Sequence, residues 1–383
     1  MSTPQSLILG KVPLRVLVLY RPKLPSARAQ SIQVLGTAHA LAELGCRVTL
    51  IADVPETGRG HQRREVLNFY QLSDTPNLDL KLPKAEHKTL SGLWFRWQVL
   101  RWLYQSVVYQ PERSVILARS KGYADEVMSI PFGPPLVLEA HEVDSALARE
   151  RGDNAAAFAR VEARLLKVAE GVVTNTAGTL EGLEAGHPGL MVANRKVVYN
   201  ATNPRRVRQH RPGAHHVVGY AGSLKTYKGL STVLEAAKYL GPGVEIELIG
   251  GTQEELKALG PLPQNVRWAG PVAYHKVPDI LQRWHAALLP LDSDLFGEKL
   301  CNPLKLWDYR AVGLPLIAAD VGSLHEVIAP QQAQWYPPGD PKALAQAIHN
   351  SLGPPSRAKK RSLRSWRTRA LELLPVLEAA VAL

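Results

Sequence analysis

Residues 217–250 read VVGYAGSLKTYKGLSTVLEAAKYLGPGVEIELIG. It begins with an apolar run, continues through a short turn containing Gly222 and Lys228-Gly229 and then an amphipathic pattern, and closes on a second apolar run ending at Gly250. The pattern predicts a strand, a helix and a second, parallel strand. Free backbone N–H groups and a lysine in such a turn meet the negative charge of phosphorylated ligands at the carboxyl end of the strand. The chain is therefore predicted to bind a nucleotide or a sugar phosphate.

A second informative stretch, residues 302–328, reads NPLKLWDYRAVGLPLIAADVGSLHEVI. Together the two stretches resemble the donor-binding domain of retaining glycosyltransferases of family 4, which have the GT-B fold. The family shows a strand with Gly, a Lys-Gly six residues on, a later strand ending in Gly, and a Gly-x-Pro after a helix. In this chain the series falls on Gly222, Lys228-Gly229, Gly250 and Gly313-Leu314-Pro315. The order of these pieces, more than any one of them, carries the resemblance.

The resemblance implies an α/β protein with two facing Rossmann-like, doubly wound parallel-sheet domains and a carboxy-terminal crossover helix. We predict an amino-terminal, acceptor-side domain of residues 1–203, joined by the helix 361–383, and a donor-binding domain of residues 204–360. The short apolar run LRVLVLY at 14–20 is typical of a buried parallel strand that opens the first domain. Five further apolar runs predict strands of the second domain near 217–221, 245–250, 265–269, 286–290 and 315–319.

Size and composition agree with a two-domain protein. The chain has 383 residues, and domains commonly have about 100–200 residues. No apolar run approaches the roughly 20 residues that a membrane span needs, and the opening residues lack the pattern of a secretory signal. Cys46 and Cys301 lie far apart, which indicates neither a disulfide framework nor a zinc site. We therefore expect a cytoplasmic protein.

The formal net charge is +12. Lys and Arg concentrate at 203–216 and 357–369, which suits nucleic acid, anionic lipid or a diphosphate substrate, or simply a solvated surface. Residues 91–110 form a segment rich in Trp and Arg, including Trp94 and Trp97. Such a helix lies in a bilayer interface or packs its aromatic rings on a sheet, and both readings stay open. We predict a peripheral contact with an anionic membrane surface and no nucleic-acid partner, because basic–aromatic RNA motifs are not recognisable.

The resemblance also implies a donor site. Its candidate residues are Gly222, Ser223, Lys228, Glu298, Asn302, Pro303, Leu304, Lys305 and Asp308. The family holds the donor diphosphate with an Arg and a Lys, but this chain has Ser223 at the Arg position, so we predict that Lys305 supplies the second charge. Backbone amides of 302–304 would meet the sugar or the phosphate.

Many relatives carry two glutamates eight residues apart, one near the donor sugar and one on the ribose. Here the second position is Asp308, whose carboxylate can accept hydrogen bonds from two hydroxyl groups. The first position is Leu300, so the usual sugar-binding carboxylate is missing. Glu298 is the candidate replacement, and the alternative is an ordinary acid in a solvent-facing loop.

His141 follows the apolar strand pattern of VLEA and takes the place of a histidine that relatives have near the donor sugar and the acceptor. We predict a catalytic role, against the alternative of a purely structural histidine. Glu139 and Glu142 flank it, and the sequence leaves open which of them orients the imidazole. Asp292-Ser293-Asp294 has the form of a metal motif, but relatives do not use that loop. We predict that no metal or cofactor is required and that cations and a helix dipole stabilise the departing diphosphate.

The resulting prediction is a glycosyltransferase of the hexosyltransferase kind. It would move a sugar from a nucleotide-diphosphate sugar to a glycan or lipid-linked acceptor, with retention of configuration, in glycan, polysaccharide or glycolipid synthesis. The alternatives are another GT-B enzyme, such as a nucleotide-sugar epimerase or a phosphorylase, and a non-catalytic basic binding protein.

Overall fold

A computed structural model describes residues 13–53, 62–82, 91–109, 113–128, 133–203, 215–352 and 363–382. The strands are β1 Arg15–Leu19, β2 Arg47–Ile51, β3 Leu78–Lys81, β4 Ser114–Ala118, β5 Leu136–Ala140, β6 Ala169–Thr174, β7 Arg195–Val197, β8 His216–Ala221, β9 Val244–Ile249, β10 Val266–Trp268, β11 Ala286–Leu289, β12 Leu316–Ala319 and β13 Ala333–Tyr336. The α-helices are α1 Ala29–Glu43, α2 Arg63–Phe69, α3 Ser91–Tyr109, α4 Lys121–Met128, α5 Asp144–Arg151, α6 Ala155–Val168, α7 Ala177–Gly186, α8 Leu230–Ala237, α9 Gln253–Leu259, α10 Val277–Leu281, α11 Leu304–Val312, α12 Gly322–His325, α13 Pro341–Ser351 and α14 Trp366–Ala380. Most of the two predicted basic runs, and the first twelve residues, lie outside the described residues.

The first compact unit contains residues 1–175, 179–199 and 366–383. Its seven strands are parallel and lie in the order β3-β2-β1-β4-β5-β6-β7. Every residue of β4 and β5 is buried, as expected of central strands that are covered on both faces. The strand order reverses between β1 and β4, and ligands of such sheets bind outside the carboxyl ends of the strands at this point.

The second compact unit contains residues 176–178 and 200–365. Its six strands are also parallel, in the order β10-β9-β8-β11-β12-β13, which places the reversal between β8 and β11. Inside β8, Gly219 makes room for Trp284, because a Cβ atom at this glycine would lie 1.9 Å from the indole ring. The predicted fold class of two Rossmann-like parallel-sheet domains is confirmed, and the five predicted strands correspond to β8 through β12.

The carboxy-terminal helix α14 belongs to the first unit, where it packs against α1. Trp366 is 4% exposed and its ring occupies the space beside Gly36, where a Cβ atom would lie only 2.5 Å from the ring. Leu373 and Leu377 are fully buried on the same helix. The chain therefore returns to its first unit at its end, as the fold class implies. Within the described residues, no helix combines the length and the apolarity needed to cross a bilayer.

Candidate functional site

The turn after β8 is built around Gly222. Its φ is +150°, in the region that favours glycine, and an added Cβ atom would lie 2.8 Å from Nζ of Lys305. The hydroxyl of Tyr220 donates a hydrogen bond of 2.7 Å to the backbone oxygen of Ser223. Glycine therefore allows the lysine to lie directly against the turn, and Ser223 contributes its backbone rather than a charge.

Lys228 lies in a 3₁₀ turn that ends two residues before α8 begins at Leu230. The sequence pattern predicts that Lys228 opens the helix itself, and this is wrong by two residues, because Gly229, with φ of +66°, separates the two elements. Its Nζ lies 4.1 Å from the ring centroid of Phe296 and 4.9 Å from that of Tyr227. The aromatic faces hold the ammonium in place, and no carboxylate in the described part of the chain forms an ion pair with it.

Lys305 lies in the first turn of α11, with its Nζ 3.6 Å from the ring centroid of Tyr220. The pKa of Lys305 lies well below its ordinary value, first because the side chain is buried and second because of the positive charge of Lys228. Among the residues that the structure describes, it too has no carboxylate partner. Two cations without a counter-ion thus influence one another beside the turn after β8, and an anionic ligand would relieve their repulsion.

The start of α11 adds backbone donors to this edge. Pro303 is its N-cap residue and has no N–H, so Leu304 and Lys305 supply the first amides, which have no partner within the helix. Asn302 is buried and anchors the helix: its side-chain oxygen accepts from the backbone N–H of Asn200 and from the indole N–H of Trp307. Its Nδ2 atom is buried without a hydrogen-bond partner.

Asp308 is held inside the second unit. Its Oδ1 atom accepts hydrogen bonds from the hydroxyls of Thr202, at 2.5 Å, and Tyr274, at 3.3 Å. The neighbouring Tyr309 accepts the backbone N–H of Ala221 with its hydroxyl oxygen at 2.8 Å, which ties α11 to the end of β8. The protein's own hydroxyls already bind this carboxylate, so the ribose contact stays a prediction.

Glu298 lies in a π-helical turn, Phe296–Leu300, and both of its carboxylate oxygens bind the unit itself. Oε1 accepts from the hydroxyl of Ser293 at 2.5 Å, and Oε2 accepts from the backbone N–H of Gly322 at 2.9 Å. A sugar hydroxyl would have to compete with these bonds. Leu300, at the position of the missing glutamate, is 1% exposed.

The loop of the Asp-x-Asp motif is tied to its own backbone. Asp294 accepts the backbone N–H of Gly297 at 2.7 Å. Burial, and next the charge of Asp294, raise the pKa of Asp292. Across the described residues, no three His, Cys, Asp or Glu side chains are grouped to hold a metal ion. Metal independence stays a prediction.

In the first unit, His141 follows β5 directly and is oriented by Glu139. Its Nε2 atom lies 2.8 Å from Oε1 of Glu139, and the same oxygen accepts from Arg369 at 2.5 Å and from Gln33 at 2.8 Å. The structure thus decides between the two flanking acids, because Glu142 makes no such contact with the imidazole in the described residues.

The buried cluster sets the protonation of His141. Burial raises the pKa of Glu139, but Arg369 and the hydrogen bond from His141 outweigh it and hold the pKa at about 2. Burial, and next the positive charge of Arg119, lower the pKa of His141 to about 4. A carboxylate only accepts hydrogen bonds, so Nε2 of the neutral imidazole carries the proton. Its Nδ1 atom is therefore a hydrogen-bond acceptor.

Sequence reasoning missed Arg119, which follows β4 where the strand order of the first unit reverses. Its guanidinium lies 4.9 Å from the ring centroid of Tyr20, and its Nε atom is buried without a partner. No carboxylate within the described ranges forms an ion pair with it. An arginine directly after the apolar run VILA was a usable signal. By contrast, no local pattern indicated that Arg369, 230 residues from Glu139, would reach that acid.

Two sequence comparisons bear on this site. Residues 215–353, which lie within the second unit, match the model of the family described as "Glycosyl transferases group 1". The chain is also 23% identical over 287 residues to the alpha-maltose-1-phosphate synthase of Mycolicibacterium smegmatis, covering 66% of this chain and 72% of that protein.

Solved structures show the same fold. A sucrose-phosphate synthase from Thermosynechococcus elongatus is 18% identical, with a TM-score of 0.68 over 97% of each chain. Anabaena Alr3699/HepE, solved in complex with UDP and glucose, is 16% identical, with a TM-score of 0.64 over 96% of this chain and 97% of its own. At these identities the likeness shows the fold alone, which is the GT-B fold.

Proposed function

We propose that this protein is a retaining glycosyltransferase that moves a sugar from a nucleotide-diphosphate sugar to an acceptor. One observation carries the proposal: the ammonium groups of Lys228 and Lys305 lie beside the turn after β8, and neither has a carboxylate partner in the described part of the unit. A diphosphate is the ligand that such a pair, together with the amino terminus of α11, is suited to bind. The match of residues 215–353 to the group 1 family supports the same reaction class.

The proposed donor chemistry follows from the charges. When the bond between the sugar C1 atom and the diphosphate oxygen breaks, negative charge grows on the departing diphosphate. Lys228, Lys305 and the first amides of α11 would stabilise this charge, and fixed donors of that kind commonly supply the largest part of catalysis. HepE was solved with UDP-glucose as well as with UDP and glucose, so UDP-glucose is the first donor to test.

Retention would follow if the acceptor oxygen attacked C1 from the face that the diphosphate leaves. The acceptor's proton would then pass to the departing phosphate oxygen. Glu139 is buried between Arg369 and His141, so it is not offered as a nucleophile. The Nδ1 atom of His141 would accept a hydrogen bond from a sugar hydroxyl. We propose a glycan or lipid-linked acceptor and a role in glycan, polysaccharide or glycolipid synthesis.

The test is turnover of a panel of nucleotide sugars by the full-length chain. Release of nucleoside diphosphate, first with water and then with candidate acceptors, should be found with one donor above all others. Nuclear magnetic resonance of the product should show the anomeric configuration of the donor. If no nucleotide sugar of the panel were bound or cleaved, the proposal would be overturned. Interconversion of sugars without transfer would indicate an epimerase instead.

A further inference from the structure

Helix α3 has two apolar faces, only one of which packs against its own unit. The inner face consists of the buried side chains Phe95, Val99, Trp102 and Leu103. The outer face consists of Leu93, Trp97, Leu100, Tyr104 and Val108, which are 63%, 55%, 52%, 67% and 51% exposed. At about 100° per residue these five positions lie within one stripe about 80° wide, opposite the inner face. We call these five side chains the outer stripe.

The outer stripe is a concentration of apolar surface. The described residues contain eleven exposed large hydrophobic side chains, and five of them belong to this one helix. Single exposed apolar residues are ordinary, but a contiguous apolar patch marks a surface that something covers. A helix that is apolar on opposite faces is normally buried on both.

The flank of the outer stripe is basic. A cleft of about 180 Å³ opens beside it, with Arg15, Arg101, Lys81 and Asp79 among its lining residues. Lys81 and Asp79 pair at 2.9 Å, which leaves the two guanidinium groups as the net charge. Burial, and next the charge of Arg47, lower the pKa of Arg15, as expected where cations gather.

The aromatic and basic groups of this flank lie in contact. The guanidinium of Arg101 lies 5.6 Å from the ring centroid of Trp97, and that of Arg15 lies 5.7 Å from that of Trp102. Trp, Tyr and Arg along the edge of an apolar helical face are the residues that sit at the headgroup level of a bilayer.

We propose that α3 docks this protein on an anionic phospholipid surface. The outer stripe enters the acyl boundary, and the cleft beside it takes the phosphate of a lipid headgroup between Arg15 and Arg101. A second copy of the chain fits less well, because a twofold contact uses the same patch of both copies and would line one interface with the basic flanks of both. The surface is separate from the donor site, so it does not depend on the proposed reaction.

The structure also changes which tryptophan matters. The sequence pointed to Trp94 and Trp97 together, but Trp94 is half-buried and lies off the outer stripe, whereas Trp97 is at its centre. A test should therefore change Trp97 and Leu100 and leave Trp94 in place.

The experiment is flotation of the purified full-length chain with vesicles. One set contains phosphatidylcholine alone, and the other contains phosphatidylcholine mixed with phosphatidylglycerol. The protein should float with the mixed vesicles, and salt should weaken this binding, because exposed charges are screened over about 10 Å at 0.1 M salt. Trp97→Ser with Leu100→Ser should bind the mixed vesicles about tenfold more weakly or worse. Arg101→Gln should bind them about fivefold more weakly.

Tyr239→Ser is the matched control, because Tyr239 is 50% exposed and lies in the second unit. It should float like the unchanged protein. All variants should keep the wild-type melting temperature and the same release of nucleoside diphosphate in solution, which separates failure of the surface from failure of the proposed reaction. Equal flotation with both vesicle sets, or with neither, would overturn the proposal. Conversion of a dimer to a monomer by Trp97→Ser, with flotation unchanged, would assign the face to a second copy instead.

Discussion

Replacing Lys228 by Met removes one of the two ammonium groups beside the turn after β8 but keeps a flexible apolar stem against Phe296 and Tyr227. An ammonium about 4 Å from a phosphate charge contributes about 4 kcal/mol at an effective dielectric constant of about 20. Solvent reduces this value, because Lys228 is only half-buried. Loss of one fixed donor to developing charge typically lowers kcat by about 10²–10³-fold. We expect Lys228→Met to lower kcat at saturating donor by roughly 10²-fold.

The same variant has a pH signature that a general loss of structure would not produce. Lys305 binds the diphosphate as an ammonium, so donor affinity should fall as the pH rises through its lowered pKa. Lys228 is one of the two causes that lower the pKa of Lys305. In Lys228→Met the pKa of Lys305 should therefore rise, and the midpoint of the loss of donor affinity should move to higher pH.

The assay is initial rate against donor concentration over a pH series, for the unchanged protein, Lys228→Met and Lys225→Met. Lys225 is exposed and lies three residues upstream, so its replacement should leave both kcat and the midpoint close to wild type. Near-normal kcat for Lys228→Met, or a midpoint that stays in place, would refute the reasoning.

Three further outcomes can be measured. Asp308→Asn should raise the KM for the donor with little change in kcat, because ribose contacts are similar in the ground and transition states; a pure loss of kcat would contradict this role. Transfer should survive excess EDTA, and activity that disappears with the chelator and returns with manganese or magnesium would refute metal independence. Thermal stability should fall as the pH drops from about 6.5 to about 4, because in this range His141 takes up a proton in the unfolded chain but not in the folded one. It should fall further toward about pH 2, because Glu139 then takes up a proton in the unfolded chain but not in the folded one. Calorimetry over this range checks the sign, and a flat profile would show that neither group is perturbed.

Much of the fold could be read from local patterns. Continuous apolar runs predicted β8 through β12, because strands covered on both faces need apolar residues on both sides. Gly222 and Lys228 could also be singled out, because a turn with unusual backbone angles restricts which residues it accepts. These features are local, so a few neighbouring residues suffice to indicate them. The exact start of α8 was missed by two residues, because Gly229 ends the 3₁₀ turn before it.

The chemistry of the site depended on contacts between distant residues. Glu139 and Glu142 flank His141 in the sequence, and only the tertiary contacts of Glu139 with His141 and with Arg369 from α14 distinguish them. The sequence offered Glu298 as a ligand for the sugar, and only the structure shows that its two oxygens accept hydrogen bonds from Ser293 and Gly322.

The sequence also could not show which side of α3 is exposed, because both of its faces carry large aliphatic and aromatic side chains. Which face is covered depends on the sheet that packs against it, and that sheet is assembled from strands far apart in the chain. Residue type and spacing therefore determined the elements and their order. Burial, ion pairing and shifted pKa values arise from packing between residues far apart in the chain, so they can be read only from the folded structure.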